Sequence, residues 1–109
     1  MIQLRNIFKL PELMGDAEIT ELLAEGDARI ERIISSGQIT PADEWYDQDA
    51  DEWVVLLDGE ARLLFEGAGE ITLKKGDYLL IKAHEKHRVT FTSSQPICIW
   101  LAVHSKLTL

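Results

Sequence analysis

Several features are scarce in this sequence, and each shortage excludes a class of protein. The 109 residues include one cysteine, Cys98, so no internal disulfide can form. Cys98 lies in the apolar run ICIWLAV, where a thiol behaves as a small hydrophobe, and this usage is typical of a reducing compartment. Basic residues number 11 against 19 acidic ones, which gives a formal charge of -8. A chain of this charge does not attract nucleic acid or anionic lipid.

Long apolar runs and several catalytic motifs are also missing. No segment approaches the ~18 apolar residues of a membrane span, and the first residues lack the apolar core of a signal peptide. The sequence has no nucleophile elbow, phosphate-binding loop, dinucleotide fingerprint or paired-cysteine zinc motif. We therefore expect a cytoplasmic protein that has neither a membrane nor a nucleic-acid partner.

The chain does contain a series of short apolar segments separated by turn residues, and its length is that of one domain. A strand is predicted first at residues 28–34, which are rich in isoleucine. Asp58-Gly59 is a strong two-residue hairpin signal. The other predicted strands cover residues 53–57, 60–65, 70–73, 78–81, 87–91 and 97–103. This pattern predicts an all-β antiparallel barrel or sandwich.

The first part of the chain is predicted to be an extension of that domain. We divide the sequence into an N-terminal strand and helix extension at residues 1–27 and a barrel domain at residues 28–109. Residues 2–8 alternate loosely and indicate an edge strand. Residues 16–26 are predicted to form a short helix, because an N-cap residue precedes apolar residues spaced by three and four. The apolar residues are Ile19, Leu22 and Leu23.

The stretch from Glu52 to His87 carries the candidate site. Six residues separate Glu52 from the turn residue Gly59, and ten residues separate Gly76 from His87. Each of the two polar residues begins a predicted strand. Because side chains alternate along a strand, Glu52 should share its face with Val54 and Leu56, and His87 with Val89 and Phe91. A carboxylate and an imidazole should then meet inside a small barrel.

These residues resemble the two-motif core of the cupin superfamily. The first cupin motif is G-x5-H-x-H-x3,4-E-x6-G, and its E-x6-G half is present from Glu52 to Gly59. The second is G-x5-P-x-G-x2-H-x3-N, of which Gly76 and His87 are present. Its proline, second glycine and asparagine are replaced by Lys82, His84 and Phe91. The resemblance covers residues 28–104 and implies a small single-domain bacterial cupin, a jelly-roll β-barrel that forms a homodimer.

The resemblance also implies a divalent metal ion, although both histidines of the first motif are missing. Their positions fall on Tyr46 and Gln48 or, in the other register, on Trp45 and Asp47, and the sequence leaves the register open. The metal ligands would be Asp47, Gln48, Glu52 and His87. Such oxygen-rich donors favour a weakly held Mn, Fe, Ni or Zn ion over copper or structural zinc. There are two alternatives to a bound metal ion. Glu52 and His87 can form a hydrogen bond with each other, or the site can bind an organic ligand without metal.

Two functions are compatible with these residues. The first is a metal-dependent enzyme for a small polar or aromatic metabolite, in which Glu52 and His87 are catalytic and move a proton. The second is a non-catalytic small-molecule binding or sensory module that has lost full metal ligation. In both, Trp45 and Tyr46 are the residues expected to contact the ligand. His84 and His104 are expected at the surface.

Overall fold

The computed structural model describes residues 1–12 and 14–108 and contains eight β-strands. They are β1 (Ile19–Glu25), β2 (Arg29–Ser35), β3 (Asp51–Asp58), β4 (Glu60–Phe65), β5 (Gly69–Lys74), β6 (Tyr78–Ile81), β7 (His87–Thr92) and β8 (Cys98–Ser105). The large sheet has the order β1-β2-β8-β3-β6 and the small sheet the order β5-β4-β7. All neighbouring strands are antiparallel, which confirms the predicted all-β class. Within the described residues we find no helix able to cross a membrane.

The predicted N-terminal helix is wrong, because residues 19–25 form the edge strand β1. β1 pairs with β2 along its whole length, with a bulge between Leu22 and Ala24. Pairing satisfies the backbone donors and acceptors of both strands, whereas a lone helix of this length is marginal in water. The bulge interrupts the period of two, so apolar residues three and four positions after Ile19 are compatible with a strand here. The strand expected at residues 2–8 does not form either.

Arg32 explains how the N-terminal segment is held without strand pairing. Its side chain is 9% exposed, and its guanidinium donates to the carbonyl oxygens of Ile7 (3.0 Å) and Lys9 (2.6 Å). The same guanidinium forms an ion pair with Glu21 of β1 at 2.6 Å. These charge-assisted bonds fix the segment against the large sheet.

The core lies between the two sheets, and the alternation of each strand selects its members. Leu56, Ala61 and Ala102 are fully buried, and Trp100 is 5% exposed. The cluster consists of Val54, Leu56, Ala61, Leu63, Phe65, Leu73, Ile81, Cys98, Trp100 and Ala102. Val54 and Leu56 therefore share the inner face of β3 with Glu52, as their spacing indicated.

Phe91 departs from the alternation expected for β7. A bulge shifts the pairing of β4 with β7 between Arg62 and Leu63. Val89 consequently pairs with Leu63 and faces inward, whereas Phe91 pairs with Arg62 on the other face. The Arg62 guanidinium lies 5.1 Å from the centre of the Phe91 ring, a cation–π distance. One inserted residue, Thr90, thus moves an aromatic side chain from the core to the surface.

Asp51 joins the start of β3 to two distant parts of the chain. Its carboxylate accepts hydrogen bonds from the backbone N–H groups of Leu107 and Ala83, both at 2.8 Å, and from Lys82 Nζ at 3.0 Å. These bonds, that of Leu107 first, lower the pKa of Asp51 to about 2. The residue next to the candidate catalytic carboxylate is therefore fixed by three donors.

We expect Asp51 to make the stability depend on pH at the acid end. Its pKa in the folded chain lies below the value of about 3.9 in the unfolded chain, so protons favour unfolding. The contribution of Asp51 to the free energy of unfolding is complete above about pH 5 and is lost as the pH falls towards about 2. Urea titrations of the wild type and Asp51→Asn over this range should give stability curves that converge in acid. Curves that stay parallel would contradict the role of Asp51.

Candidate functional site

The two sheets enclose a cavity of about 190 Å³. Glu52 of β3 lines it from the large sheet, and His87 of β7 lines it from the small sheet. Tyr46 and Gln48, from the segment before β3, line the same space. Its apolar wall consists of Ile33, Val54, Leu63, Ile81, Val89 and Trp100. The structure thus brings together a carboxylate, an imidazole, a phenol and an amide.

The His87 ring is fixed in both position and tautomer. It is 5% exposed and lies between the Tyr46 ring at 5.5 Å and the Phe65 ring at 5.7 Å, with both pairs stacked. Its Nδ1 lies 2.9 Å from the carbonyl oxygen of Glu85. A carbonyl oxygen can only accept, so Nδ1 carries a proton and donates it. In the neutral ring Nε2 then has no proton and can accept one.

Glu52 is a buried carboxylate with a fixed neighbour. The residue is 8% exposed, and its Oε1 accepts a hydrogen bond from Gln48 Nε2 at 2.9 Å. In the large sheet Glu52 lies between Ile81 of β6 and His104 of β8. The backbone pairing therefore directs it into the cavity, while the amide orients one of its oxygens.

The structure also decides between the two registers of the first motif. Tyr46 and Gln48 line the cavity, and the backbone of Tyr46 forms a bridge with that of His87. Trp45 is not among the residues that line the cavity. Its ring lies 5.9 Å from the Arg88 guanidinium, and 37% of the residue is exposed. Of the two residues predicted to contact a ligand, Tyr46 is at the cavity.

Asp47 and His84 pair with each other outside the cavity. His84 Nδ1 lies 2.8 Å from the Asp47 carboxylate, and this bond raises the pKa of His84. His84 is exposed, as expected, and has a φ of 65°. A left-handed conformation favours glycine, which is the residue that the second cupin motif has at this position. The turn of the motif is thus retained although its glycine is not.

Five polar residues of the cavity were not identified from the sequence, and two of them are Glu18 and Thr20. Arg29 and Glu31 of β2 and His104 of β8 all line it. His104 was expected at the surface but is only 9% exposed, because β8 continues to Ser105. Extending the alternation of Trp100 by two more steps would have placed His104 on the inner face.

The donors of the cavity do not fit the metal site that the resemblance implied. In residues 1–12 and 14–108, no three His, Cys, Asp or Glu side chains are grouped so as to hold a metal ion. Asp47 lies outside the cavity, and the Gln48 amide donates to Glu52. Burial, and then the negative charge of Glu18, raises the pKa of Tyr46, so its phenol stays protonated. Of the four predicted ligands, only the His87 imidazole and the Glu52 carboxylate remain as metal donors at the cavity, and the divalent ion stays a prediction.

Solved structures with a similar fold come from several microorganisms. A proposed mannose-6-phosphate isomerase from Ralstonia eutropha JMP134 is 37% identical, with a TM-score of 0.89, and the match covers 96% of this chain and 99% of that chain. A cupin superfamily protein from Desulfitobacterium hafniense DCB-2 is 20% identical over 89% of this chain and 84% of its own, with a TM-score of 0.72. The second likeness shows the fold alone.

The family comparison agrees with the fold. No functionally curated protein matches the chain. Residues 32–104 match the family described as the cupin domain, and this range includes both Glu52 and His87. The chain belongs to the cupin family.

Proposed function

We propose that this cupin binds a small polar metabolite between its sheets and moves a proton on it, with Glu52 and His87 as the reacting pair. One observation carries the proposal. A buried carboxylate and a buried imidazole whose Nε2 can accept a proton line the same cavity, one from each sheet. Ionisable groups that converge in an apolar cavity are the usual mark of a ligand site.

The size of the cavity limits the ligand. Its volume of about 190 Å³ is below the range of roughly 300–1,000 Å³ found for drug-sized ligands, so a compact metabolite fits best. Tyr46 and Gln48 offer hydrogen bonds to such a ligand, while Val54, Leu63 and Trp100 exclude water around it. Exclusion of water strengthens the electrostatic interactions of the two reacting groups.

An isomerisation of a hydroxycarbonyl compound uses these two groups fully. The Glu52 carboxylate would take the proton from the carbon next to the carbonyl and return it to the neighbouring carbon. The His87 imidazole would carry the hydroxyl proton from one oxygen to the other through Nε2. The proton count balances, and each transfer by a positioned side chain contributes about 10²–10⁴-fold. The Ralstonia relative, itself a proposed isomerase, supports this reaction class.

A non-catalytic binding module is the second candidate, and the hydrogen bond between Gln48 and Glu52 favours it. The Gln48 amide donates to a Glu52 oxygen at 2.9 Å and so occupies one of the two oxygens that could take up a proton. The same bond would hold Glu52 ready to accept hydrogen bonds from a ligand. Binding alone would then be the function of the cavity.

Proton exchange separates the two candidates. The wild-type protein, pretreated with a chelator, would be incubated in D₂O with a panel of small hydroxyaldehydes and hydroxyketones. Proton NMR should show deuterium entering next to the carbonyl of at least one compound, and that compound should also raise the melting temperature. A thermal shift without exchange would favour the binding module. The absence of both across the panel would overturn the proposed function.

A further inference from the structure

A second polar group lies in the cavity beside the reacting pair. It is formed by Arg29, Glu31 and His104, on the inner faces of β2 and β8. Arg29 pairs with His104 in the sheet, and His104 pairs with Glu52 on its other side. Directly opposite residues of antiparallel strands have Cβ atoms about 4.5–5.5 Å apart. The group is therefore continuous with the proposed site, and we call it the β2–β8 polar group.

Glu31 is the centre of this group. One carboxylate oxygen lies 3.3 Å from Arg29 Nε and the other lies 2.9 Å from His104 Nε2. The side chains of Glu31 and His104 are only 16% and 9% exposed, whereas that of Arg29 is 47% exposed. Glu31 is thus a partly buried carboxylate held by two neighbours, which offset the cost of removing its charge from water.

The contact between Glu31 and His104 leaves a hydrogen-bonding atom without a well-directed partner. Nε2 is close to the carboxylate, yet it forms no hydrogen bond of acceptable geometry within the part of the chain that the structure describes. The short distance alone does not satisfy this atom, because hydrogen bonds weaken steeply as they bend. Buried polar atoms nearly always have a partner, and this one borders a cavity. A ligand atom in the cavity can supply it.

The chemistry around this atom selects the ligand group. His104 Nε2 lies beside a carboxylate oxygen, which can only accept, so in the neutral ring Nε2 carries the proton. A ligand atom here must accept from this N–H and, next to Glu31, must itself donate to a carboxylate. A hydroxyl group does both, whereas a carboxylate or phosphate oxygen can only accept. The cavity is also lined by three carboxylates, Glu18, Glu31 and Glu52, against the single guanidinium of Arg29. A dianionic phosphate would be repelled by this surplus of negative charge.

We propose that the β2–β8 polar group binds hydroxyl groups of the ligand, and that the cavity selects an uncharged polyhydroxylated compound over its phosphate ester. The inference rests on the proposed function, since it assigns the ligand class of the same cavity. The proposed ligand class differs from the phosphorylated sugar that the name of the Ralstonia relative contains. Glu31 and His104 are binding residues here, and the proton transfer remains with the other pair.

Calorimetric titration of the full chain with mannose, mannitol and mannose 6-phosphate tests the inference. The wild type should bind at least one of the two uncharged compounds about tenfold or more tightly than mannose 6-phosphate, a difference of about 1.4 kcal/mol. Equal or tighter binding of the phosphate would overturn the inference. Failure of both uncharged compounds to bind would also overturn the inference. The proposed function would still stand in that case if deuterium exchange occurred on other compounds.

Two variants locate the effect. Glu31→Gln removes one negative charge at constant size and should reduce the preference for the uncharged compound by about fivefold or more. His104→Gln should weaken the binding of the uncharged compound by a similar factor. Glu66→Gln removes an exposed charge outside the cavity and serves as the matched control, which should leave the preference unchanged. Equal effects of Glu31→Gln and Glu66→Gln would overturn the assignment. Unchanged deuterium exchange in Glu52→Gln would instead count against the proposed function.

Discussion

Glu52→Gln should abolish deuterium exchange on the substrate, with a loss of about 10²–10⁴-fold. Glutamine has the size and hydrogen-bonding reach of glutamate but cannot take up a proton at neutral pH. Glu52 is 8% exposed and contacts Gln48 through one oxygen, so the exchange of an oxygen for an amide nitrogen leaves the packing in place. The loss should appear in the rate of exchange measured by proton NMR, with far-UV circular dichroism unchanged.

His87→Asn should cause a similar loss, because asparagine has no ring nitrogen that could take up the hydroxyl proton. His84→Asn is the matched control. His84 is an imidazole on the loop just before β7, but it is exposed and pairs with Asp47 outside the cavity. Asparagine also tolerates the left-handed φ of 65° at His84. If His84→Asn lowered exchange as much as His87→Asn, or Glu52→Gln kept full exchange, the assignment of the reacting pair would fail.

The strands could be predicted because their determinants are local. A continuous apolar run before the turn at Asp58-Gly59 and an alternating run after it specify β3 and β4 without reference to the rest of the chain, and both form as expected. β1 could not be predicted in this way, since its bulge is set by pairing with β2. Arg32 likewise gives no local signal that its guanidinium will hold the backbone of residues 7–9.

The residues of the candidate site also fall into those that local sequence identifies and those that it does not. Glu52 and His87 were found because motif spacing marks them within one stretch of sequence. Glu31 and His104 were missed because they meet only through the pairing of β2 with β8, which brings together residues from opposite ends of the domain. The choice between the two registers of the first motif also required the bridge between Tyr46 and His87. Local patterns identify single residues, whereas the composition of a cavity depends on strand order.

Gly59→Ala should be the most destabilising of the glycine-to-alanine changes. Gly59 has a φ of 90°, a conformation that costs other residues about 1–2 kcal/mol. An added Cβ would also lie 2.8 Å from Cys98 Sγ, 2.9 Å from Cys98 Cα and 3.0 Å from the Ile97 carbonyl oxygen. Two of these atoms belong to the backbone and cannot rotate away, and overpacking of this kind costs about 1–3 kcal/mol more. We expect a total loss of roughly 2–5 kcal/mol in the free energy of unfolding.

Gly67→Ala separates the two contributions. Gly67 also has a positive φ, 78°, but an added Cβ would meet no atom within 4 Å. Gly67→Ala should therefore lower the free energy of unfolding only by the cost of the left-handed conformation, about 1–2 kcal/mol. Urea denaturation of both variants measures the difference, which is the cost of the contact with Cys98 and Ile97. Equal losses would show that β8 yields at this point and that the β3–β4 turn is less tightly packed on it than the distances indicate. A larger loss for Gly59→Ala would show that this turn fixes β8, the strand that carries His104, against the end of β3.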